Sequence, residues 1–491
     1  MSDFDPGSIA FSRGHFIGGE VVDPPGGERI EVRRPSDAQV YADLPVADAE
    51  IVDRAVKNAA EAQAKSGWAS NPPRERARAM KRWADLIDAR AEELGRLESL
   101  GSTRSIAQSV GGDVAATAEG IRFFAEYADK LGGEVAATRT DHLGMIVSEP
   151  YGVVGAITPW NFPLSMASWK LGPSLAAGNA MVLKPSELTP FSTVRLAELA
   201  VEAGIPAGIV NIVQGTGPMT GDALSRHRGF GKLSFTGSTR TGVAIMKASA
   251  DSGIKPVTLE LGGKSPQLVF ADADLDKAVD CIAGSLLANA GQACVAGSRL
   301  IVQESVREEL VAKLVERLAE VVAGHTWQAA SRFAPIISEL QAGRIDAIVE
   351  RSRRQGAEIV FGGGRIEGFG GAFYAPTLIA GVGAETPAVR EEIFGPVLTV
   401  QGFSEEEEGF ALADHPDYGL AAGVYTRDLG RGLRAVRKLQ AGTVWVNRYS
   451  RTLDFVLPTG GYKSSGIGKD LGRQAVEANL QHKTVLIDIS G

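Results

Sequence analysis

From Pro150 onward the chain alternates short apolar runs with amphipathic stretches, and no other feature limits the fold as tightly. Val153 to Ile157 is a run of five apolar or small residues, suited to a strand covered on both faces. Leu164 to Ala177 has helical spacing and stops at Gly178. Ala180 to Leu183 reads as a strand, Phe191 to Ala203 as a helix closed by Gly204, and Ile209 to Val213 as a strand. Lys232 to Phe235 is a further strand before a helix from Ser238, and Val257, Leu259 and Leu261 alternate as another. Strands and helices alternating across short links imply a parallel sheet covered by helices, hence an α/β fold. The rhythm resumes with the strand Leu268 to Phe270 and a helix marked by Leu275, Val279, Ile282 and Leu286, and it runs to about residue 447. At 491 residues the chain exceeds one core, so two or three domains are expected.

Before Pro150 the pattern differs. Ile51, Val52, Ala55, Val56 and Ala59 predict a helix over 46–62. A second helix starts after Pro72-Pro73, with Met80, Trp83, Ile87 and Leu94 on one stripe. Residues 134–150 read as a hairpin: Glu134 to Thr140, a turn from Asp141 to Gly144, then Met145 to Glu149. Near the other end, Ser404 before Glu405 to Glu408 reads as a serine-capped helix start, with acids at its positive end.

Charge and composition remove several function classes. Lys plus Arg number 51 against 59 Asp plus Glu, a net charge of -8, which argues against a nucleic-acid partner. The two cysteines, Cys281 and Cys294, form no CxxC pair, and the six histidines are scattered, so neither a disulfide framework nor a metal site is expected. The acidic N-terminus has no apolar signal region, and no apolar run approaches ~18 residues, so a cytoplasmic, membrane-free chain is expected.

Two glycine-rich stretches mislead. Gly215-Thr216-Gly217-Pro218-Met219-Thr220-Gly221 has GxGxxxG spacing, one residue too long for a dinucleotide fingerprint, and reads as a surface turn. Gly263-Lys264-Ser265 ends like a phosphate loop, but Thr258 stands where its first glycine belongs.

Of the two thiols, Cys281 lies amid Ala278, Val279 and Ile282 and reads as core. Cys294 lies among small residues, Gly291-Gln292-Ala293-Cys294-Val295-Ala296-Gly297, just after a predicted helix. That setting suits a thiol facing a cleft, where backbone N–H groups can approach a reacting oxygen.

Seven segments occur together in one order. They are Pro159-Trp160-Asn161-Phe162-Pro163, Lys184-Pro185-Ser186-Glu187, Phe235-Thr236-Gly237-Ser238 with Gly242, and Glu260-Leu261-Gly262-Gly263-Lys264. Gly291 to Cys294, Glu391-Glu392-Ile393-Phe394-Gly395-Pro396 and Gly460-Gly461-Tyr462-Lys463 with Ser465-Gly466 complete them. In these segments the chain resembles the aldehyde dehydrogenase superfamily over nearly its whole length.

The resemblance implies a Rossmann-like cofactor domain (1–127 and 151–260), an α/β catalytic domain (261–470) and a small β oligomerisation element (128–150 and 471–491) that makes a homodimer or homotetramer. It implies that Cys294 attacks an aldehyde carbon, with the oxyanion held by the Asn161 amide and the Cys294 backbone N–H, each donor contributing roughly 3 kcal/mol. Hydride loss to a nicotinamide leaves a thioester, which water activated by Glu260 would release as a carboxylic acid. An acid at the end of an apolar strand should be partly desolvated and its pKa raised.

Lys184 and Glu187 would hold the adenosine ribose, and a carboxylate there favours NAD over NADP, although some relatives accept both. Trp160, Gly237 and Ser238 would meet the pyrophosphate at a helix N-terminus, and Glu392 and Phe394 the nicotinamide end. Phe162, Met166 and Trp169 resemble tunnel-lining positions. Many relatives carry Phe where this chain has Thr459, which should widen or re-polarise the entrance. Arg448, Arg451 and Asp454 leave two readings open, selection of a charged substrate or solvated loop charges. Gly324 to Pro335 lacks a familiar loop and reads as structural.

Two alternatives share the thiol. A coenzyme A-acylating semialdehyde dehydrogenase would typically lack the Glu260 base. A cysteine-dependent esterase or acyltransferase would need a histidine partner, and none lies in a matching segment.

Overall fold

The computed structural model describes residues 2–490. Two sheets dominate. The first runs Glu20–Val22, His15–Ile17, Val210–Ile212, Ala180–Lys184, Val153–Ile157, Lys232–Thr236, Val257–Glu260, Gly466–Ile467. Its five central strands are parallel, and antiparallel strands finish both edges. The second runs Glu358–Phe361, Thr377–Ala380, Val397–Phe403, Arg299–Gln303, Pro266–Val269, Ala421–Tyr425, Thr443–Val446, and only its first strand is antiparallel. The βα rhythm of the sequence therefore folds into two α/β units.

Continuous apolar strands follow from helices on both faces. Val153, Val154, Ala180, Val182, Leu233 and Leu259 sit in one core with Trp83, Ile121, Leu171 and Leu199 from the covering helices. Each large side chain buried there stabilises by about 2 kcal/mol. Trp83 keeps its ring nitrogen satisfied by donating to the Leu196 carbonyl at 3.0 Å.

The chain returns to the first sheet before residue 470, because Gly466–Ile467 pairs with Leu259 and Glu260. This return is long-range and has no local signal. It sets Glu260 between Thr236 and Gly466, at the end of the parallel strands.

Several local expectations shift. The first helix is Ala49–Lys65, because Asp48 accepts from Glu50 N at 3.0 Å and Ile51 N at 2.9 Å and so sets the start. The stripe from Met80 to Leu94 spans two helices, Pro73–Ala89 and Ala91–Gly101, broken at Arg90, though its residues share one core. The hairpin turn falls earlier than expected: the first strand is only Glu134–Ala136, and the second is His142–Pro150. The second is longer because its other edge pairs along its whole length with Leu480–Asp488. Ser404 does not cap with its hydroxyl; its backbone N–H donates to Glu408 at 2.8 Å, and the helix is Glu406–Ala413. Gly217–Gly221 is a helical turn capped by Thr216, at the surface over Gly217, Pro218 and Met219 and buried at Thr220 and Gly221. Among the described residues no helix is long and apolar enough to cross a membrane.

Candidate functional site

A cleft of about 1110 Å³ opens between the two sheets. Its walls come from the segment after strand Val153–Ile157, from the ends of Lys232–Thr236 and Val257–Glu260, from the turn that carries Cys294, and from two later loops around Phe394 and Arg451.

The thiol sits on a backbone that local preference alone would not adopt. After helix Leu275–Leu287 the residues Asn289, Ala290 and Gly291 all have positive φ, at 52°, 51° and 69°. Left-handed backbone at Ala290 costs about 1 kcal/mol, so tertiary contacts must hold it. The Asn289 amide donates to the Asn161 carbonyl at 2.9 Å, and its oxygen accepts from Thr103 at 2.6 Å. The Gln292 amide bridges the Asn289 and Pro335 carbonyls, both at 2.9 Å, and accepts from Ile337 N at 2.9 Å. A Cβ on Gly291 would come within 2.2 Å of the Gly395 carbonyl, so only glycine permits that approach. Sequence reasoning assigned no role to Asn289 or Gln292. The available signal was a buried amide beside an asparagine suited to positive φ.

Cys294 is half-buried and lines the cleft. Burial pushes its thiol up to about 11, Arg451 pulls it down, and Glu260 and Glu392 push it further up. The thiol is therefore protonated at neutral pH in this state. Asn161 lines the cleft too; its amide donates to the Gln292 carbonyl at 3.0 Å, and among the described residues its side-chain oxygen has no partner.

Glu260 does not line the cleft directly; it is buried behind it. Burial and the nearby Asp470 push its carboxyl up to about 8, against the pull of Lys170, Arg451 and Lys469. Among the described residues its Oε1 has no hydrogen-bond partner. Lys170 and Asp470 form a buried ion pair at 2.5 Å across 300 residues of chain, and neither was singled out from the sequence.

Glu392 lines the cleft and is pushed up to about 7 by burial, while the Gly263 N–H and Lys264 pull it down. The Gly263 N–H donates to it at 3.0 Å. A Cβ on Gly262 would stand 2.3 Å from its Oε2, so the paired glycines form its seat. Phe394 meets Trp160 edge to face, with centroids 5.2 Å apart. Ser238 spends its hydroxyl capping the helix Thr239–Asp251, accepting from Thr241 N at 3.3 Å. That helix start and Gly237 face the cleft, and the buried Thr236 Oγ1 beside them has no partner among the described residues.

Phe162, Met166 and Trp169 all line the cleft. Lys184 and Glu187 do not; they hold each other at 3.3 Å, and Lys184 also donates to the Pro185 carbonyl at 2.9 Å. Thr459 corrects an expectation. It is buried and lines nothing, and its hydroxyl accepts a hydrogen bond from Arg451. Cys281 packs against the core of the second sheet as expected, but it is only half-buried and also lines the cleft.

Two parallel sheets around a thiol-bearing cleft define an α/β enzyme. The model of the aldehyde dehydrogenase family matches residues 22–485. The NADP/NAD-dependent aldehyde dehydrogenase PuuC of Escherichia coli (strain K12) is 41% identical over 483 residues, 98% of this chain and 97% of that one. A mutant of the indole-3-acetaldehyde dehydrogenase AldA of P. syringae, solved with NAD+ and IAA, superposes with a TM-score of 0.96 at 39% identity, covering 98% of each chain. The aldehyde dehydrogenase KauB of Pseudomonas aeruginosa superposes at 0.95 with 40% identity, covering 98% of this chain and 97% of that one. The chain belongs to the aldehyde dehydrogenase family and is a nicotinamide-dependent oxidoreductase that converts an aldehyde to a carboxylic acid.

Proposed function

We propose that Cys294 carries this oxidation as the nucleophile, with Asn161 as an oxyanion donor, Glu260 as the base that activates water, and NAD as the cofactor. The observation that carries the reading is the convergence of Cys294, Asn161 and Glu392 on one cleft, with Glu260 buried behind it at the end of a first-sheet strand. Proton loss from the thiol to water in the cleft must precede attack, since its surroundings hold it neutral. The sulfur then bonds to the carbonyl carbon, and the Asn161 amide, with one hydrogen on Gln292, turns its second toward the oxyanion. Loss of hydride from that adduct leaves a thioester. Water attacks it, giving its proton to Glu260, and the C–S bond breaks to free the carboxylic acid and the Cys294 thiolate, a step for which a carboxyl near 8 suits a base at mildly alkaline pH.

The cleft fits the cofactor chemically. A helix N-terminus beside Gly237 and Ser238 suits a pyrophosphate, the unpartnered Thr236 hydroxyl adds a polar contact, and the seated Glu392 carboxylate suits ribose hydroxyls beside Phe394 and Trp160. Bound there, a nicotinamide supplies the acceptor for the hydride that leaves the thiohemiacetal carbon. Lys184 and Glu187 would hold the adenosine ribose hydroxyls, and the Glu187 carboxylate would disfavour a 2′-phosphate.

Residues 1–127 and 151–260 form the cofactor domain, 261–470 the catalytic domain apart from the strand Gly466–Ile467, which joins the first sheet, and 128–150 with 471–491 the oligomerisation element, although Leu471, Ala475 and Val476 pack into the first core. Exposed Val135, Leu143, Val147, Leu486 and Ile487 on the three-stranded sheet favour pairing into a homodimer or homotetramer. Two unpaired thiols suit the reducing cytoplasm.

NADH formation with an aldehyde panel tests the reading. Cys294→Ala should lower turnover roughly 10⁴-fold or more while NAD binding persists. Turnover surviving in that variant excludes Cys294 as nucleophile.

A further inference from the structure

We propose that Arg451, held in place by Thr459, makes this cleft selective for aldehydes that carry a carboxylate at the end remote from the carbonyl. The inference rests on the Cys294 chemistry proposed above and names the substrate class for that same cleft.

Arg451 lines the cleft, whose wall also includes the apolar side chains of Phe162, Met166, Trp169 and Phe455. Its guanidinium donates to the Thr459 hydroxyl and lies over the Trp169 ring, 5.4 Å from the centroid. Among the described residues it has no carboxylate ion-pair partner, and in this it differs from Arg104 and Arg351. Arg104 also lines the cleft, but Asp113 takes its charge through two hydrogen bonds at 2.7 and 3.2 Å. Arg351 is paired with Glu391 at 2.8 Å. Arg344 is exposed on the helix Glu339–Arg354, whose Gln341 donates to the Phe394 carbonyl, and so belongs to the other side of the cleft.

The loop acids do not quench Arg451. Asp454 is exposed and accepts from the Thr452 hydroxyl at 2.9 Å and from Val456 N at 3.4 Å. Arg448 points elsewhere, donating to the Ser450 carbonyl at 3.1 Å. The two readings left open by the sequence thus separate: Arg448 and Asp454 are solvated loop charges, and Arg451 is a cation facing the cleft.

Thr459 explains how the cation is kept there. It is buried, and its backbone exchanges two hydrogen bonds with Asp470, at 2.7 and 2.9 Å. Asp470 in turn holds Lys170. The hydroxyl that orients Arg451 is therefore anchored to a buried ion pair and does not drift with the loop. A large aromatic side chain at position 459 would lack that acceptor.

A guanidinium presents a planar fork of donors that matches a carboxylate. Half-covered by Trp169 and apolar walls, it loses hydration that a neutral aldehyde cannot replace, whereas a substrate carboxylate can. Arg451 acts on the Cys294 thiol and the Glu260 carboxyl through its charge, without a hydrogen bond to either. The guanidinium is placed against the Trp169 ring and the Thr459 hydroxyl rather than on Cys294, so the anion it recognises is separated from the aldehyde carbon by a spacer, as in the semialdehyde of a dicarboxylic acid.

The test compares chain-matched pairs, pentanal with 5-oxopentanoate and hexanal with 6-oxohexanoate, by kcat/KM in the full-length enzyme with NAD. The carboxylate member should be preferred by roughly tenfold to a hundredfold, chiefly in KM, and less so at high salt. Arg451→Gln should erase the preference, Arg451→Lys should restore part of it, and Thr459→Val should weaken it. Product inhibition by glutarate over pentanoate should follow the same order, a readout independent of turnover. Equal efficiency on both members, or a preference that survives Arg451→Gln, overturns the assignment of Arg451 while leaving the Cys294 reading intact. Absence of turnover with every aldehyde overturns both.

Discussion

Glu260 and Glu392 hold the same side chain in two different settings. Glu260 ends a strand of the first sheet, and Glu392 lies in the loop that enters strand Val397–Phe403 of the second. Burial pushes both carboxyls up, to about 8 and about 7. Glu392 rests on Gly262 and takes the Gly263 N–H, so its position is set. Glu260 has an oxygen without a partner among the described residues, with charges at a distance. A carboxylate seated on backbone donors is suited to hold a ligand, and one with a vacant acceptor is suited to take a proton.

Exchanging each acid for its amide is the strongest way to break this contrast. Glu260→Gln should lower steady-state turnover by about 10³-fold while leaving a first-turnover burst of NADH, read by stopped-flow absorbance. An unaffected steady state removes Glu260 as the base. Asn161→Ala should follow, at about 10²-fold in kcat, with the burst itself slowed. A slow burst in the first variant and a normal one in the second would reverse the two roles.

Smaller effects sharpen the comparison. Glu392→Gln should raise the KM for NAD about tenfold with a modest change in kcat. Deacylation should rise with pH and level off above about 8, because Glu260 must be ionised to accept a proton. The Glu392→Gln variant should keep that midpoint, and a midpoint that moves with Glu392 would reassign the titrating group. The smallest effect concerns stability. A carboxyl raised in the folded state binds a proton that the unfolded chain releases at lower pH, so stability falls as pH climbs from about 4.5 to about 8. Glu260→Gln removes that loss, and its melting temperature should exceed the parent's by roughly 2 °C at pH 9, with a smaller gap at pH 5. A gap that widens toward acid pH would contradict the sign.

The amino-acid pattern by itself carried the α/β class, most of the parallel strands and the segments that bear Cys294, Glu260 and Glu392, because strand and helix periodicities and glycine-rich turns are local properties of the chain. Tertiary structure alone decided the rest. The left-handed turn under Cys294 is held by Thr103, Asn161 and Pro335, which lie far along the sequence. The Lys170–Asp470 pair and the return of Gly466–Ile467 to the first sheet join residues hundreds of positions apart. The choice between Arg448 and Arg451 as the cation of the cleft rests on one threonine hydroxyl and one indole ring. Local spacing records which face of a segment is apolar, whereas a buried charge acquires its partner, or lacks one, only when distant segments close around it.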